Sequence, residues 1–370
     1  MPPPHVIRPF HKWEQYMSGA YVTRPAVVLA DHRITTEEIL DDLRLQFADH
    51  PRLGAFLRVV ANCGVDARHF TRPLDHPSLS ASATVSERTR TAFEDALAMA
   101  ERASRTVLAE HRVDPWDVDA VITSHTTSWG LPHMDVRLAN ALGLRPDVRH
   151  LAMTTLACVG GAQSLIRAAD LVAAHPGSTV LVVVTEAISS VCANPHDTSI
   201  EAIIYRALFG DSAGAVLVTD RPLGTGLRIE DSWEHTLPES TDRYYGRLEH
   251  TGLHFRSTKA AVRAAGDVLP HLRDWLGAPE VLDWAVIHPG SPRIITDVAD
   301  GLGLGHQDTH HSRTSLAENG NLGGIAVLDV LRRTHDAPPA DNSPGVLTAF
   351  GPGFSTAALR GTWTKAAAGR

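Results

Sequence analysis

One cysteine in the sequence lies where a thiol can be activated. In residues 154–162 a strand-like segment runs into Cys158 and then into Gly160 and Gly161, which open a predicted helix. Backbone N–H groups and the positive dipole end of a helix stabilise a thiolate, and glycines let a substrate or another backbone segment approach closely. By itself, such a cysteine is more often an inert buried thiol beside glycines that help helix packing. Cys158 is therefore a candidate nucleophile whose role depends on its partners.

Two further segments could supply those partners. His288 follows the apolar run 284–287, and the carboxyl end of a strand is where α/β sheets collect catalytic groups. Asn321 lies in the Asn- and Gly-rich segment 318–324, ahead of an apolar helix. Each has an ordinary alternative, because most of the 21 histidines must be solvated or structural and Asn-Gly segments form turns and helix caps. Together the three side chains fit one set of roles: a thiol nucleophile with two hydrogen-bond donors.

The elements that must position these groups follow an α/β pattern. Continuous apolar runs, typical of strands covered on both faces, alternate with helical segments. We predict strands at residues 119–124, 178–185, 214–218, 284–287 and 345–350, and helices at 86–111, 160–174 and 325–331. Residues 221–251 are polar and without sustained periodicity, which predicts a connection between two halves of the chain. Residues 334–344 are predicted to form a surface loop before the last strand.

The composition narrows the class of protein. With 370 residues, 43% of them hydrophobic, the chain can fill a core, so disorder is a poor interpretation. The 34 basic and 42 acidic residues give a net charge of -8 without a long run of either sign, so we expect no nucleic acid partner. The amino terminus lacks an unbroken apolar stretch, and no run approaches the ~20 residues of a membrane span. We therefore expect a soluble cytoplasmic protein without membrane contact.

The cysteines and histidines do not indicate a metal site. Cys63, Cys158 and Cys192 are too few and too dispersed for a disulfide framework, and no CxxC pair is present. The histidines include no HExxH motif. We expect three thiols and no bound metal.

Four short motifs occur in the order in which one known family carries them. They are LFGDSAGA at residues 208–215, HPG at 288–290, GNLGG at 320–324 and AFGPG at 349–353. Through them the chain resembles the type III polyketide synthases, the chalcone and stilbene synthase family, and the similarity runs from about Pro25 to Trp363. The segment DHRITTEE at residues 31–38 is similar to bacterial members. Several motifs over most of a chain are more specific than any one of them.

The resemblance implies an architecture and partners. The fold would be an α/β, thiolase-like, five-layer αβαβα fold of two similar halves, forming a homodimer with the site at the junction of the halves. The chain would divide into a flexible amino-terminal extension at residues 1–20, a half with the nucleophilic cysteine at 21–220, and a half with the catalytic histidine and asparagine at 221–370. The substrates would be malonyl-CoA and an acyl-CoA starter, with no cofactor besides these coenzyme A thioesters.

Carried onto this sequence, the family's catalytic residues are Cys158, His288 and Asn321. The resemblance implies that Cys158 holds the acyl starter and the growing chain as a thioester, because sulfur attacks thioesters readily and leaves again. His288 and Asn321 would donate hydrogen bonds to the thioester carbonyl of malonyl-CoA and stabilise the enolate formed as carbon dioxide departs. His288 would also pair with the thiolate and lower the pKa of Cys158. The implied reaction is a decarboxylative Claisen condensation, which cyclisation of the polyketide can follow.

The same resemblance identifies pocket residues. Phe209 and Phe255 match the family's phenylalanines between the coenzyme A tunnel and the reaction cavity, although such rings also serve as core packing. Gly246 matches a cavity-lining glycine whose missing side chain sets the cavity volume. In the region 62–69, which in the family supplies cations to the coenzyme A phosphates, Arg68 is the one obvious match, and it could equally be a solvated surface charge.

Other positions depart from the plant pattern. Val191 and Cys192 stand where plant enzymes have Thr-Phe, Tyr205 replaces a cavity glycine, and Gly323 and Gly324 replace two serines. We expect Tyr205 to shrink or reroute part of the pocket, whereas Val191 and Gly323 remove hydroxyls that could steer cyclisation. The product therefore does not follow from the plant enzymes.

Several other functions are alternatives. A ketoacyl synthase III-type enzyme would perform a single condensation, and an acyltransferase would have lost condensation; the HPG and GNLGG motifs favour the polyketide synthases. A thiolase would need a second catalytic cysteine after Cys192, and none follows. A hydroxymethylglutaryl-CoA synthase would need a catalytic glutamate ahead of its cysteine, for which there is no convincing candidate. A non-catalytic subunit of the same fold would be expected to have lost the nucleophile, and a metal hydrolase lacks a ligand motif.

Overall fold

The computed structural model describes residues 19–79, 83–127, 129–192, 197–277 and 282–365. The predicted amino-terminal extension at residues 1–20 lies outside the described residues apart from Gly19 and Ala20, and Ala20 already begins the first strand. The strands are β1 (Ala20–Val22), β2 (Ala26–Leu29), β3 (His32–Thr35), β4 (Ala67–Phe70), β5 (Ala120–His125), β6 (Arg149–Thr154), β7 (Thr179–Glu186), β8 (Ser212–Thr219), β9 (Gly226–Thr236), β10 (Tyr244–Glu249), β11 (Gly252–Ser257), β12 (Trp284–Ile287), β13 (Pro344–Gly351) and β14 (Ser355–Thr364). The helices are α1 (Thr36–Gln46), α2 (Leu53–Ala61), α3 (Val85–His111), α4 (Met134–Leu142), α5 (Gly160–Ala174), α6 (Ile188–Cys192), α7 (Ile200–Leu208), α8 (Ala264–Leu276), α9 (Pro292–Leu302), α10 (His310–Asn319) and α11 (Ala326–Asp336).

A ten-stranded sheet runs through the molecule. Its strand order is β12-β13-β14-β9-β1-β8-β7-β5-β6, with β2 also paired to β8. Strand β5 pairs in parallel with β6 and β7, and β12 pairs in parallel with β13. The strands between these parallel groups pair antiparallel. Two further antiparallel pairs, β3 with β4 and β10 with β11, lie outside this sheet.

The side chains of the sheet alternate between two sides, and this alternation defines the layers. In β7, Val182 packs into a core around α5 and α11, whereas Leu181 and Val183 pack into a second core beneath α3 and α4. In β12, Val286 joins the first core and Ile287 joins a third core beneath α8 and α9. Because successive side chains of a strand point to opposite faces, the layers follow the order α3/α4, sheet, α5/α11, sheet, α8/α9. The predicted αβαβα architecture is confirmed.

The two central helices lie against each other at their amino ends. A 3-10 turn at Gly323–Ile325 precedes α11, and the beginning of α5 packs on it. A Cβ atom on Gly161 would be 2.1 Å from the carbonyl oxygen of Gly324, and one on Gly160 would be 2.5 Å from Ser124 Oγ. A larger residue at Gly161 would require a backbone shift. The glycines that follow Cys158 therefore bring the two halves together beside the cysteine.

Most of the predicted elements are confirmed, and one prediction is wrong. Helix α5 and strand β12 have the predicted bounds, and α3 begins one residue before the predicted start. The predicted connection at residues 221–251 instead contains β9, which lies between β14 and β1 in the main sheet, and β10. Burial in β9 is concentrated in its first residues, and the polar remainder is held by hydrogen bonds to β14, which leave no hydrophobic pattern in the sequence.

The predicted loop at residues 334–344 is shorter than expected, because α11 continues to Asp336 and β13 begins at Pro344. Within the described residues, no helix is both long and apolar enough to cross a membrane.

Candidate active site

Cys158 lies in a short 3-10 turn, Ala157–Val159, between β6 and α5. We call residues 155–159 the cysteine turn. Thr155 and Ala157 have φ angles of 62° and 51°, in the left-handed region that residues with a side chain rarely adopt. The turn leaves Cys158 only 6% exposed, directly before the first turn of the central helix, whose N–H groups have no partner within the helix.

Hydrogen bonds from the neighbouring strand hold the cysteine turn. The N–H of Thr155 donates to the carbonyl oxygen of His125 at 3.1 Å, and the N–H of Ala157 donates to Thr126 Oγ1 at 2.8 Å. His125 ends β5 and Thr126 follows it, so both acceptors lie at the carboxyl end of the strand parallel to β6. Backbone strain persists only where the surrounding structure maintains it, and these bonds keep the turn in one conformation.

Asn321 is the group that the structure brings into contact with the cysteine. Its Nδ2 is 3.9 Å from Cys158 Sγ, and both side chains are buried. Asn321 Oδ1 accepts a hydrogen bond from the N–H of Gly323 at 2.9 Å, which leaves the amide N–H groups to face the sulfur. The backbone N–H of Asn321 donates to Leu208 at 2.8 Å, and its carbonyl oxygen accepts from Gly210 at 3.1 Å. An asparagine of the second half is thus fixed beside the candidate nucleophile of the first.

His288 directly follows β12 and is 1% exposed. Its backbone N–H donates to the carbonyl oxygen of Thr348 in β13 at 2.9 Å. A Cβ atom on Gly290 would lie 3.1 Å from His288 Nε2, so the glycine of the HPG motif gives the imidazole room. The cysteine turn contacts the same strand at Gly351, where a Cβ atom would be 3.0 Å from Val159. The histidine and the cysteine turn therefore lie against the carboxyl half of β13.

Burial controls the ionisation of the cysteine and the histidine. It raises the pKa of Cys158 to about 12, against a smaller opposing effect of the hydrogen bond with Asn321. It lowers the pKa of His288 to about 3. A dry site disfavours charge on either group, so burial favours a thiol and a neutral imidazole at neutral pH. The prediction that His288 pairs with the thiolate and lowers the pKa of Cys158 stays a prediction, because burial is the largest cause of both shifts.

Glu186, which the sequence motifs do not single out, is a buried carboxyl group close to the catalytic residues. It accepts hydrogen bonds from the N–H groups of Thr126 at 2.9 Å and Thr127 at 3.1 Å, and from Thr127 Oγ1 at 2.7 Å. Burial raises the pKa of Glu186 to about 7 in spite of these bonds. A Cβ atom on Gly323 would be 3.4 Å from its Cγ. Glu186 could have been chosen as a candidate from the sequence, because it is a carboxylate at the end of a largely apolar strand.

Four aromatic side chains that pack in or against the apolar cluster of Cys158 also contact one another, and we call them the aromatic wall: Tyr205, Phe209, Tyr244 and Phe255. The Tyr205 ring centroid lies 5.6 Å from that of Phe209 and 5.9 Å from that of Phe255. Tyr244 stacks on Phe255 at 5.9 Å. The two predicted phenylalanines are 6.0 Å apart, so the structure brings them together with the predicted Tyr205. Tyr244 was not predicted.

The remaining predicted pocket residues also lie around this cluster. Gly246 pairs with Phe255 between β10 and β11, and a Cβ atom on Gly246 would be 3.0 Å from the Phe255 ring. Val191 and Cys192 end α6; Val191 is buried in the cluster and Cys192 packs against it. Burial raises the pKa of the Cys192 thiol, so its side chain is an uncharged neighbour of the cluster.

Arg68 has a structural position and not the predicted one at a phosphate. It is fully buried in β4, where Nη1 donates to the carbonyl oxygen of Ile34 at 3.3 Å and Nη2 to Thr36 Oγ1 at 2.8 Å. Burial lowers its pKa to about 10. A guanidinium group without exposed surface is neither a solvated surface charge nor a contact for a phosphate in solvent. The prediction that Arg68 contacts a phosphate is wrong. Its burial depends on β3, a strand outside residues 62–69 that pairs with β4.

Arg58 is instead the arginine that lines an open cleft beside the site. The cleft encloses about 930 Å³ including its mouth, and its lining includes α2, Leu208 and Ser291. Leu208 accepts the backbone hydrogen bond of Asn321, and Ser291 follows the HPG motif, so the cleft borders the segments that carry Asn321 and His288. Arg58 could have been chosen as a candidate from the sequence, because it is the single charged residue of the apolar helix α2.

Comparisons with known proteins identify the family. The model for the N-terminal domain of chalcone and stilbene synthases matches residues 63–222, and the model for their C-terminal domain matches residues 228–361. The 1,3,6,8-tetrahydroxynaphthalene synthase of Streptomyces griseus is 30% identical, over 94% of this chain and 93% of its own. The phloroglucinol synthase of Pseudomonas fluorescens is 31% identical, over 92% of this chain and 98% of its own.

Solved structures agree with the sequence relatives. The 1,3,6,8-tetrahydroxynaphthalene synthase of Streptomyces coelicolor, a bacterial type III polyketide synthase, has a TM-score of 0.89 and 30% identity, covering 94% of this chain and 100% of that chain. Germicidin synthase of Streptomyces coelicolor has a TM-score of 0.87 and 35% identity, covering 93% of this chain and 99% of that chain. With the αβαβα layers and the Cys158–Asn321 contact, these matches show that the chain belongs to the chalcone and stilbene synthase family and is a type III polyketide synthase, a transferase of the thiolase-like fold.

Proposed function

We propose that this enzyme condenses malonyl-CoA with an acyl starter that Cys158 carries as a thioester. The observation that carries the proposal is the buried contact between Cys158 Sγ and Asn321 Nδ2, 3.9 Å apart. Support also comes from the relatives, which bear the names of tetrahydroxynaphthalene, phloroglucinol and germicidin synthases. The reaction class is acyl transfer by decarboxylative Claisen condensation, with Cys158, His288 and Asn321 as catalytic residues.

The first step is the loading of the starter onto Cys158. His288 is neutral, so it accepts the thiol proton as the sulfur attacks the thioester carbonyl carbon of the acyl-CoA. The intermediate expels coenzyme A as a thiolate, which takes the proton from the imidazolium. One C–S bond forms, one breaks, and the site returns to its neutral state.

The second step is decarboxylation and condensation. In the proposal, the thioester oxygen of malonyl-CoA accepts hydrogen bonds from Asn321 Nδ2 and from the imidazole of His288. As the bond to the carboxylate breaks and carbon dioxide leaves, the electron pair moves onto that oxygen, and the two fixed donors stabilise the enolate. The enolate carbon then attacks the Cys158 thioester, a C–C bond forms as the C–S bond breaks, and the displaced thiolate takes up a proton from solvent. The raised pKa of Cys158 favours this proton uptake.

Further extension and ring closure take place, in this proposal, in the space bounded by the aromatic wall, Gly246 and α6. Glu186 contributes a carboxyl group whose pKa of about 7 suits both proton donation and proton acceptance at neutral pH. Val191 and Gly323 have no side-chain hydroxyl, whereas Glu186 and its threonine partners supply polar groups close to Gly323. The relatives are named after different products, so the product of this chain must be identified by the incubation with malonyl-CoA described below.

Coenzyme A thioesters reach the site, we propose, through the open cleft that Arg58 lines. The guanidinium group of Arg58 suits the phosphates of coenzyme A, because its planar fork binds phosphate oxygens in pairs. The mechanism needs no cofactor besides these thioesters.

The assembly, location and division of the chain are also proposals. We propose a cytoplasmic location and a homodimer. The homodimer is supported by the position of β6, the last strand of the sheet, whose residues are largely exposed. An open edge strand is a surface for pairing with another copy, and Leu131, 92% exposed, lies in the segment between β5 and β6. The two family models meet between residues 222 and 228, which supports a division near residue 220.

The function is tested by incubation of the purified chain with malonyl-CoA alone and with a panel of acyl-CoA starters, with products identified by mass. We expect products of two or more condensations, and an acyl adduct on the intact protein. Cys158→Ala should lose both adduct and product, while a thermal melt like that of the wild type serves as the folding control. Polyketide formation by this variant would exclude Cys158 as the nucleophile, and products of one condensation would favour a ketoacyl synthase III-type reaction.

A further inference from the structure

Asp197 is a largely buried carboxyl group, with no part in the mechanism above, that connects two of the elements carrying the aromatic wall. It lies two residues before Ser199, the N-cap residue of α7, and its side chain is 12% exposed. Its Oδ1 accepts a hydrogen bond from the backbone N–H of Ser199 at 2.9 Å. Its Oδ2 binds two side chains of β11: His254 Nδ1 at 3.1 Å and Arg256 Nη2 at 3.3 Å. We call Asp197, His254 and Arg256 the carboxylate clamp.

The two β11 residues of the clamp lie on either side of Phe255 in the strand. Because successive side chains of a strand point to opposite faces, His254 and Arg256 face the carboxylate and Phe255 faces away from it. Phe255 accordingly packs in the apolar cluster of the site, where its ring centroid lies 6.0 Å from that of Phe209. The clamp therefore holds β11 from the face opposite to the aromatic wall.

Helix α7 carries the other side of the aromatic wall and ends at the catalytic asparagine. Tyr205 lies on α7, and Phe209 is its C-cap residue. At the same end, the carbonyl oxygen of Leu208 accepts a hydrogen bond from the N–H of Asn321 at 2.8 Å. The amino end of the helix is held by the clamp and its carboxyl end by Asn321, and the hydrogen-bonded helix fixes the distance between them. The clamp thus sets the place of Phe255 relative to both the α7 rings and Asn321.

The charges of the clamp compensate one another. Burial acts to raise the pKa of Asp197, but hydrogen bonds from Ser199 and His254, with the charge of the neighbouring guanidinium, outweigh burial and lower this pKa below its usual value. Asp197 is therefore a carboxylate at neutral pH, and since a carboxylate only accepts hydrogen bonds, His254 Nδ1 is the donor. The other ring nitrogen of His254 is 2.7 Å from Thr251 Oγ1. A charge-assisted hydrogen bond in such a partly dry place is stronger than an exposed ion pair.

We propose that Asp197 is a positioning residue for polyketide extension: through β11 it holds Phe255 at the distance from α7 at which the growing chain is aligned for the next condensation. This role rests on the proposed function, because the chain is held on Cys158 in the space that the aromatic wall bounds. Loading of a small starter needs only the thioester carbonyl at Cys158, whereas the extended chain lies against the wall. Misplacement of a reactant by about 1 Å can slow a reaction ~100-fold, so a loosened clamp impairs extension and spares loading.

Loading and extension are measured separately on the purified full chain. Loading is the rate at which the shortest acyl-CoA that the wild type accepts gives an adduct on Cys158, and extension is the rate at which that adduct is consumed once malonyl-CoA is added. Both are followed by intact-protein mass. Asp197→Ala should leave loading within about twofold of the wild type and slow extension at least about tenfold. Its products should shift toward fewer condensations, because a misaligned chain is released before the next one.

Asp242→Ala, at an exposed aspartate just before β10, is the matched control and should change neither rate. Extension by Asp197→Ala at the wild-type rate would overturn the proposal. Loading and extension slowed by the same factor would also overturn it, because they would show a general loss of structure.

Substitutions of His254 separate positioning from packing. His254→Ala removes the bond to Asp197, so it should slow extension, and the double variant with Asp197→Ala should be no slower than Asp197→Ala alone. The Nδ2 of an asparagine takes up nearly the position of a histidine Nδ1, so His254→Asn can keep the bond and should extend faster than His254→Ala. Effects that multiply in the double variant, or equal rates for His254→Asn and His254→Ala, would contradict the clamp. If Asp197→Ala does not fold, as judged by its thermal melt, the two His254 variants decide the result.

The outcomes separate the clamp from the reaction. Extension that no clamp variant slows would exclude the positioning role and leave the proposed function in place. Absence of an acyl adduct on Cys158 of the wild type with every starter would exclude the proposed function, and the positioning role with it.

Discussion

The ionisation of Cys158 and His288 is set by where the two residues lie. Burial moves the pKa of the thiol up to about 12 and that of the imidazole down to about 3, so neither carries a charge at rest. A thiol is a poor nucleophile, and its proton must be transferred during the attack. We therefore expect alkylation and oxidation of Cys158 to be slow in the resting site.

Alkylation of Cys158 by iodoacetamide should be slow at pH 7 and should rise with pH. The folded-state pKa of Cys158 is raised above the ordinary value of 9.0, so the thiolate fraction at pH 7 is low and increases about tenfold per pH unit up to that pKa. The rate is measured by peptide mass from pH 6 to 10, and the Cys158→Ser variant identifies background from Cys63 and Cys192. A rate that stays constant from pH 6 to 8 would instead indicate a resting thiolate–imidazolium pair.

Asn321→Ala should impair decarboxylation more than loading. The side chain donates to the oxygen on which charge develops as carbon dioxide leaves, so its loss should raise that barrier by about 2 to 4 kcal/mol. Carbon dioxide release from malonyl-CoA and acylation of Cys158 are measured separately on the same preparation. Asn140→Ala, at an exposed asparagine of α4, is the control. Equal loss of both steps would assign Asn321 a structural role.

At the scale of elements, the site depends on the close approach of α5 to the turn before α11. Gly161 allows this approach, because any side chain there would meet the backbone of Gly324. The approach brings the cysteine turn of one half against the Asn321 segment of the other. The helix and the turn are therefore part of the catalytic geometry as well as of the core.

Gly161→Ala should destabilise the fold, and Gly54→Ala should not. The new methyl group at residue 161 would lie 2.1 Å from a carbonyl oxygen, so we expect a loss of about 3 kcal/mol or more in the free energy of unfolding. Gly54 is in α2 with no atom within 4 Å of an added Cβ, so alanine should gain about 0.5 to 1 kcal/mol there. Urea denaturation compares the two variants. Equal stability of both would contradict the close packing of the central helices.

At the scale of the whole molecule, the ten-stranded sheet ends at β6, and this edge is the surface for which we propose a second copy. The segment before α4 presents Leu131 to solvent with 92% of its surface exposed. An exposed edge strand favours association, and so does a large exposed apolar side chain.

Light scattering should give a mass of twice 39.9 kDa for the purified chain. Leu131→Asp should shift the equilibrium toward the monomer, because it places a charge in an apolar interface. Leu45→Asp, at a leucine of α1 that is 81% exposed, is the matched control and should leave the mass unchanged. A monomeric wild type, or the same mass for both variants, would argue against this interface.

The parts of the fold that sequence patterns predict are those that are buried. Strand β12 and helix α5 have continuous apolar character, and their bounds were predicted correctly. Strand β9 was missed, because most of its length is polar and its place in the sheet comes from hydrogen bonds to β14, which is distant in sequence. Backbone hydrogen bonds do not depend on residue type, so they leave no periodic signal.

The sequence by itself determined an α/β pattern, because apolar periodicity is local. Through the family resemblance of its short motifs it also implied the αβαβα class and the candidates Cys158, His288 and Asn321. The tertiary structure alone decided the contact of Cys158 with Asn321, the burial that shifts the pKa values of the cysteine and histidine, and the burial of Arg68. It also brought in Glu186 and Arg58. Burial, pKa and cavity shape depend on neighbours from distant segments, and in this molecule those neighbours come together only where the two halves meet around α5, α7 and α11.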